Sequence, residues 1–221
     1  MVYSIAIRHH PSRVVQTDAP KFKHVCGGTC QLDGFPSDSR YVQILSLDLA
    51  DPALSFLRLK GTPCLPLVMD TAAGAIAYSI TEQARFVLHE SANEAEEPLL
   101  DGPLPERSMS IVPFTYEQYR AAWFSTAVID SAYLQEEDQQ AQSSLGETYT
   151  QVGGAHSLAG DWSPYCQNPD CLGFRSSCTI LLASVAQSPA KGIYFDCWPN
   201  DPSLLFNICT TCNSIYGMVS T

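Results

Sequence analysis

The chain has 221 residues, of which 45% are hydrophobic and only 16% charged, so the composition predicts a sizeable core and argues against intrinsic disorder. No window approaches the roughly 18 consecutive apolar residues that a membrane span needs. The N-terminal residues alternate first and turn basic afterwards, the reverse of a signal peptide, so we expect a cytoplasmic protein.

The net charge of −11 is concentrated in the middle third of the chain. Residues 82–147 hold 13 acidic and three basic residues. Residues 1–81 hold six acidic and seven basic residues, and residues 148–221 hold four acidic and two basic residues. An acidic field repels phosphate backbones, so nucleic-acid binding is disfavoured and a basic protein partner is favoured. The alternative is that these carboxylates only form a solvated surface.

Short apolar or alternating runs with turn residues between them predict a β-rich first half, residues 1–114. The predicted strands are Val2–Arg8, Tyr41–Leu49, Leu65–Met69, Ala75–Ile80, Arg85–His89 and Met109–Phe114. The segment Glu90–Arg107 is rich in Glu, Pro and Asn, and is predicted to be an exposed loop.

The middle segment, residues 115–146, is predicted to be helical. Thr115 and Gln118 have the spacing of a capping box at a helix start, and a second helix is predicted over Val128–Gln142. Residues 147–221 return to strands, predicted at Cys178–Val185, Ile193–Cys197, Leu204–Ile208 and Ser214–Val219. The order predicts one compact α+β unit over residues 1–221, predominantly β, with a helical acidic middle.

Two segments of the chain share a pattern that indicates an internal repeat. Gly27-Gly28 with the Leu and Gly that follow recurs 126 residues later as Gly153-Gly154, and each set precedes an apolar strand. Two similar β-rich halves packed as one unit account for this pattern, although chance recurrence of glycine pairs is an alternative. Repeated turns of this kind predict positive φ angles among the four glycines.

Six of the nine cysteines fall between residues 166 and 212, and four of them form two pairs. The pairs are C-x4-C and C-x2-C, whose members are Cys166, Cys171, Cys209 and Cys212. Two such knuckles can direct four thiolates to one tetrahedral Zn²⁺, and a site closed by four protein ligands is structural. Replacement of one ligand by Cys178 or Cys197 stays open, as does the alternative that the cysteines are small core residues.

The first glycine pair suggests two weaker sites. Cys26 and Cys30 have C-x3-C spacing with His24 beside them, which could suggest a second metal site or a reactive thiol. Core cysteines in a turn are the simpler explanation. Cys30 and His156 follow equivalent glycine pairs and form a conceivable nucleophile and base, which would make the protein an enzyme of unknown substrate.

Several of these segments together resemble the YwqG-like family of bacterial proteins. The resemblance covers residues 25–70 and 147–215, through the glycine turn and the strand Tyr41–Leu49, then Gln151–Gly154, the cysteine pair and the strand Gly192–Cys197. It implies a mostly β fold with two similar halves and a binding role of the kind found beside toxins, and it offers no established catalytic residues to carry over to this chain.

The favoured function is therefore a non-enzymatic immunity or antitoxin-type protein that neutralises a basic partner; a zinc-stabilised scaffold is the third hypothesis. Steering by acidic side chains favours contact with such a partner. The predicted partner-binding residues are Glu94, Glu96, Glu97, Asp101, Glu136, Glu137 and Asp138.

Overall fold

The structure is a computed structural model that describes residues 12–57, 59–91, 103–113, 150–153, 165–176, 178–185 and 203–220. These residues form eleven strands and a short 3₁₀ turn, Pro52–Leu54. The strands are β1 (Ser12–Gln16), β2 (His24–Cys26), β3 (Tyr41–Asp48), β4 (Cys64–Asp70), β5 (Ala75–Ile80), β6 (Phe86–Ser91), β7 (Arg107–Pro113), β8 (Thr150–Val152), β9 (Thr179–Val185), β10 (Ser203–Cys209) and β11 (Ile215–Ser220).

All eleven strands belong to one antiparallel sheet, in the order β4-β3-β2-β7-β1-β8-β9-β10-β11-β5-β6. The prediction of a predominantly β protein is confirmed. The predicted helices fall within residues 114–149, outside the described part of the chain, and the division into segments 1–114, 115–146 and 147–221 stays a prediction. Among the described residues, no helix has the length and apolar character needed to cross a membrane.

The sheet curls, and the side chains on its inner face form the core. Leu47, Leu67 and Phe206 are fully buried in this core, which draws on strands from both ends of the sheet. Tyr78 of β5 connects to β4 across the core. Its hydroxyl donates to the backbone oxygen of Pro66 at 2.7 Å and accepts from the backbone N–H of Val68 at 3.1 Å. A side chain near one end of the sheet thereby satisfies backbone groups of β4, the strand at the other end.

The two glycine-pair segments make the same contact with the strand that follows them. The N–H of Gly27 donates to Ile44 O of β3 at 2.9 Å, and the N–H of Gly153 donates to Leu182 O of β9 at 3.0 Å. Ile44 and Leu182 are each skipped in the pairing register of their strand with the next, as at a β-bulge. The prediction of positive φ angles is confirmed at +69° for Gly27, +73° for Gly28 and +67° for Gly153.

Most predicted strand positions agree with the structure, and the differences are short elements. Strands β1, β2 and β8 were not predicted, and the predicted loop Glu90–Arg107 instead begins inside β6 and ends inside β7. The predicted strands Val2–Arg8 and Ile193–Cys197 lie outside the described residues.

Candidate metal centre

The structure brings the four predicted cysteines together. Cys209 ends β10 and Cys212 lies in the turn that leads to β11, while Cys166 and Cys171 come from the irregular segment before β9. One ligand atom from each lies within 4.8 Å of the other three, and Cys166, Cys171 and Cys209 are buried. Among the described residues, this is the one group of His, Cys, Asp or Glu that can hold a metal ion.

The distances between the sulfur atoms fit a tetrahedral metal site. Cys166 Sγ lies 3.6 Å from Cys212 Sγ, and Cys171 Sγ lies 3.9 Å from Cys209 Sγ. Four thiolates about 2.3 Å from a zinc ion occupy the corners of a tetrahedron with edges of about 3.8 Å. A disulfide holds its sulfur atoms about 2.05 Å apart, so both pairs are free thiols. The four cysteines therefore have the spacing of ligands to one metal ion.

The knuckle at Cys209 and Cys212 is built into the turn between β10 and β11. The N–H of Thr211 donates to Cys209 Sγ at 3.4 Å, and the N–H of Asn213 donates to Cys209 O at 2.9 Å. Asn213 closes the turn with φ of +59°, a conformation that Asn adopts more readily than most residues. The turn thus points Cys209 and Cys212 to the same side and directs an amide hydrogen at a sulfur that would carry negative charge.

The knuckle at Cys166 and Cys171 is longer and is held by an asparagine turn. Asn168 Oδ1 accepts from the N–H of Asp170 at 3.1 Å, and Asn168 O accepts from the N–H of Cys171 at 3.0 Å. The N–H of Gly173 then donates to Cys171 Sγ at 3.2 Å. A Cβ at Gly173 would lie 2.7 Å from Cys178 Sγ, so a side chain here would displace the Cys178 thiol.

Tyr216 of β11 packs against the cysteines and was not predicted as part of the site. Its hydroxyl accepts from the N–H of Gln167 at 2.7 Å and lies 3.3 Å from Cys166 Sγ, to which it donates. Tyr216 is 2% exposed, and it packs with the buried cysteines in a cluster separate from the main core. No sequence pattern pointed to this role, because an isolated Tyr in a strand is usually a packing residue.

The electrostatic surroundings differ among the four thiols. Burial raises the pKa of Cys171 to about 11 and also raises that of Cys209. Burial acts in the same direction on Cys212, but hydrogen bonding with Ser214 and the neighbouring thiols outweighs it and lowers the pKa of Cys212 to about 7. Metal thiolate bonds form only after the protons leave, so we expect metal uptake to release protons.

A fifth cysteine, Cys178, lies beside the four. Its Sγ is 3.2 Å from Cys209 Sγ and 3.6 Å from the backbone oxygen of Gly173. Its backbone oxygen accepts from both the N–H and the hydroxyl of Thr210, each at 2.9 Å. Cys178 therefore contacts both knuckles, whereas Cys197, the other open candidate, lies outside the described residues.

The turn after β4 has the same hydrogen bonds as the turn after β10, with an ion pair in place of thiols. Arg40 O accepts from the N–H of Thr71 at 2.8 Å and from its hydroxyl at 3.0 Å, as Cys178 O does from Thr210. Gly74, with φ of +67°, donates its N–H to Asp70 O, as Asn213 does to Cys209 O. The Arg40 guanidinium pairs with the Asp70 carboxylate, which is fully buried. Arg40 and Asp70 thus hold the positions that Cys178 and Cys209 hold in the other turn.

The described residues of the weaker candidates around the first glycine pair, Cys30 and His24, are buried. Cys30 is 8% exposed in the wall of a cavity of about 500 Å³, and burial raises its pKa, the opposite of what activates a thiol nucleophile. His24 Nε2 lies 2.9 Å from Asp51 Oδ2, and its Nδ1 accepts from the N–H of Asp48. Both imidazole nitrogens of His24 are thus engaged in structural bonds, and His156 lies outside the described residues.

The predicted partner-binding residues all lie in segments 92–102 and 114–149, outside the described part of the chain.

No family model, curated protein or solved structure matches this chain. The resemblance to the YwqG-like family therefore stays a prediction.

Proposed function

We propose that Cys166, Cys171, Cys209 and Cys212 hold one structural zinc ion that fastens the segment before β9 to the β10–β11 turn. The observation that supports this is the convergence of four largely buried thiols at tetrahedral spacing. Thiolates select zinc over magnesium or calcium, and four protein ligands leave no open position for a substrate. The ion would act on folding and not on chemistry.

Metal analysis of freshly purified protein tests the zinc centre. We expect about one zinc per chain, and removal by a chelator should lower the melting temperature by about 10 °C or more, given about 2–4 °C per kcal/mol for chains of this size. Cys209→Ser should abolish zinc binding. Cys64→Ser should retain it, because Cys64 begins β4 and lies outside the cysteine cluster. Protein that contains no zinc, or that melts unchanged after chelation, would contradict the proposal.

We propose further that the protein is a non-enzymatic binding module whose contact residues sit on the metal-held segment. Three large side chains within ten residues point into solvent: Tyr165 is 58% exposed, Leu172 101% and Phe174 40%. Apolar side chains that are exposed together on a fixed loop suit a protein contact, where aromatic and aliphatic anchors contribute most of the affinity. A loop held by metal also loses little freedom on binding.

The partner we propose is a basic protein, of the kind that an immunity or antitoxin-type protein neutralises. The net charge of −11, concentrated in residues 82–147, supports this, because it would steer a basic surface toward the chain. The residues in the exposed apolar group would then supply the anchor that acidic side chains alone do not provide. Membership of the YwqG-like family, also a proposal, fits this role.

Co-purification from the native cells, followed by binding kinetics with the recovered basic protein, tests this function. Leu172→Ser should speed dissociation, and substitution of Glu136, Glu137 and Asp138 by neutral amides should slow association most at low salt. Leu88→Ser, which alters an exposed leucine of β6, is the matched control. An association rate independent of salt, or equal effects of Leu172→Ser and Leu88→Ser, would contradict the proposal.

A further inference from the structure

Cys178 is a fifth thiol that the four-cysteine centre does not need. Its distance of 3.2 Å to Cys209 Sγ is shorter than the 3.6 Å and 3.9 Å that separate the ligand pairs. Cys178 is also less buried than Cys209, which is fully enclosed. An accessible thiol thus touches the sulfur of a metal ligand.

The position of Cys178 is set by the backbone and not by the metal. Thr210 anchors its backbone oxygen with two hydrogen bonds, and the matching oxygen of Arg40 is anchored by Thr71 in the turn without cysteines. In that turn the two side chains meet as an ion pair, Arg40 with Asp70. The same geometry in the β10 turn brings two sulfur atoms together, which sets up a bond between them.

We propose that Cys178 and Cys209 are a peroxide-sensitive thiol pair whose oxidation to a disulfide releases the metal, an inference that rests on the proposed zinc centre. The co-reactant is a two-electron oxidant of the peroxide class. The modification site is Cys178, and Cys209 is the residue that resolves it.

The chemistry takes two balanced steps. The Cys178 thiol is oxidised by hydrogen peroxide to a sulfenic acid, with one water formed as the peroxide O–O bond breaks. The thiolate of Cys209 then attacks the sulfenic sulfur, forms the S–S bond and expels hydroxide. Cys209 can no longer act as a thiolate ligand, so three thiolates remain where a closed structural site needs four. Zinc affinity falls and the two knuckles lose their common ion.

The test follows zinc and the disulfide together. Zinc-loaded protein is treated with hydrogen peroxide, released zinc is followed with a chromogenic chelator, and tryptic peptides are mapped without reduction. Cleavage at Arg175 and Lys191 leaves Cys178 as the one cysteine in residues 176–191, so its partner in residues 192–221 can be read from fragment ions. We expect a Cys178–Cys209 link that accumulates as zinc is released.

Two variants make the expectation specific. Cys178→Ser should keep about one zinc per chain and release it about tenfold more slowly under peroxide, because every remaining thiol of the cluster is then a proposed zinc ligand and none is left free to be oxidised first. Cys64→Ser should behave as the wild type, since that thiol lies outside the cluster. Peptide mapping of the wild type decides the pairing even if Cys178→Ser folds poorly.

Failure of the zinc centre and failure of the peroxide-sensitive pair give different results. Untreated wild-type protein without zinc overturns the zinc centre, and the inference falls with it. A folded Cys178→Ser variant that holds no zinc before any peroxide makes Cys178 a ligand, which overturns the inference and changes the ligand set of the zinc centre. Release from Cys178→Ser at the wild-type rate, or a link that joins other cysteines, also overturns the inference and leaves the zinc centre standing.

Discussion

Two titratable side chains are buried on the short strand β2. His24 is 1% exposed and bonded at both ring nitrogens, and Cys26 is 4% exposed in the main core. Burial raises the pKa of the Cys26 thiol from 9.0 to about 12, although the positive charge of Arg107 opposes the shift. The folded protein therefore keeps the Cys26 thiol neutral at a pH where the unfolded chain ionises it.

Stability should accordingly fall in alkaline solution through Cys26. Below pH 9 the thiol is protonated in both states, so its contribution is fully present; between pH 9 and about 12 only the unfolded state loses the proton, and stability is lost. Urea unfolding at pH 8 and pH 10.5 measures this, with a slope of about 1.4 kcal/mol per pH unit for one proton. Cys26→Ala should reduce the slope, whereas an identical slope in that variant would show that other groups carry it.

At the same scale, the sequence predicted which four cysteines converge but not what surrounds them. Spacing within each knuckle is local, so Cys166, Cys171, Cys209 and Cys212 were found from the sequence alone. The hydrogen bond from Tyr216 to Cys166 joins residues 50 positions apart, and no local pattern encodes it. The contact between Cys178 and Cys209 likewise joins residues 31 positions apart, which spacing along the chain does not encode.

Among the elements, the β10–β11 turn depends on a residue with positive φ. Asn213 has φ of +59°, and its N–H closes the turn on Cys209 O at 2.9 Å. A β-branched residue is disfavoured at positive φ by about 1–2 kcal/mol, whereas glycine adopts it freely. The geometry of the turn and the placement of Cys209 and Cys212 therefore depend on this one residue.

We expect Asn213→Val to weaken zinc binding by about tenfold, since 1.4 kcal/mol corresponds to that factor and the turn must be strained to present both thiols. Asn213→Gly should bind zinc as the wild type does. Competition with a chromogenic chelator measures both affinities, and Gly74→Val in the turn without cysteines is the control that should leave zinc binding unchanged. Wild-type affinity in Asn213→Val would show that the turn does not position the ligands.

Long apolar strands were predictable and short ones were not. The predicted bounds of β3, β4, β5, β9, β10 and β11 agree with the structure to within one residue at each end. Strands β2 and β8 have three residues each and contain His24 and Gln151, polar side chains that are buried by pairing with distant strands. Alternation over three residues carries no signal, so tertiary pairing decides these elements.

For the whole molecule, the order of the strands bears on the internal repeat that the glycine pairs indicate. Strands β4-β3-β2-β7 on one side of the sheet mirror β10-β9-β8-β1 on the other, so β7 and β1 meet at the centre. Both series contain a bulge, at Ile44 and at Leu182, and both end in a turn with the same threonine bonds. We propose that the two series are equivalent halves. The Arg40–Asp70 ion pair of one half then corresponds in position to the Cys178–Cys209 thiol pair of the other.

Exchanging one pair for the other tests that equivalence. Cys209→Asp should destabilise the fold by about 3–5 kcal/mol, because the position of Cys209 is fully buried and the carboxylate would lack a cationic partner. Adding Cys178→Arg recreates the pairing of Arg40 with Asp70 and should recover about 1–3 kcal/mol. Urea unfolding with a chelator present removes the metal from the comparison, and Cys178→Arg alone completes the double-mutant cycle. If the double variant is no more stable than Cys209→Asp, the two turns are not interchangeable and their shared hydrogen bonds do not reflect equivalent halves.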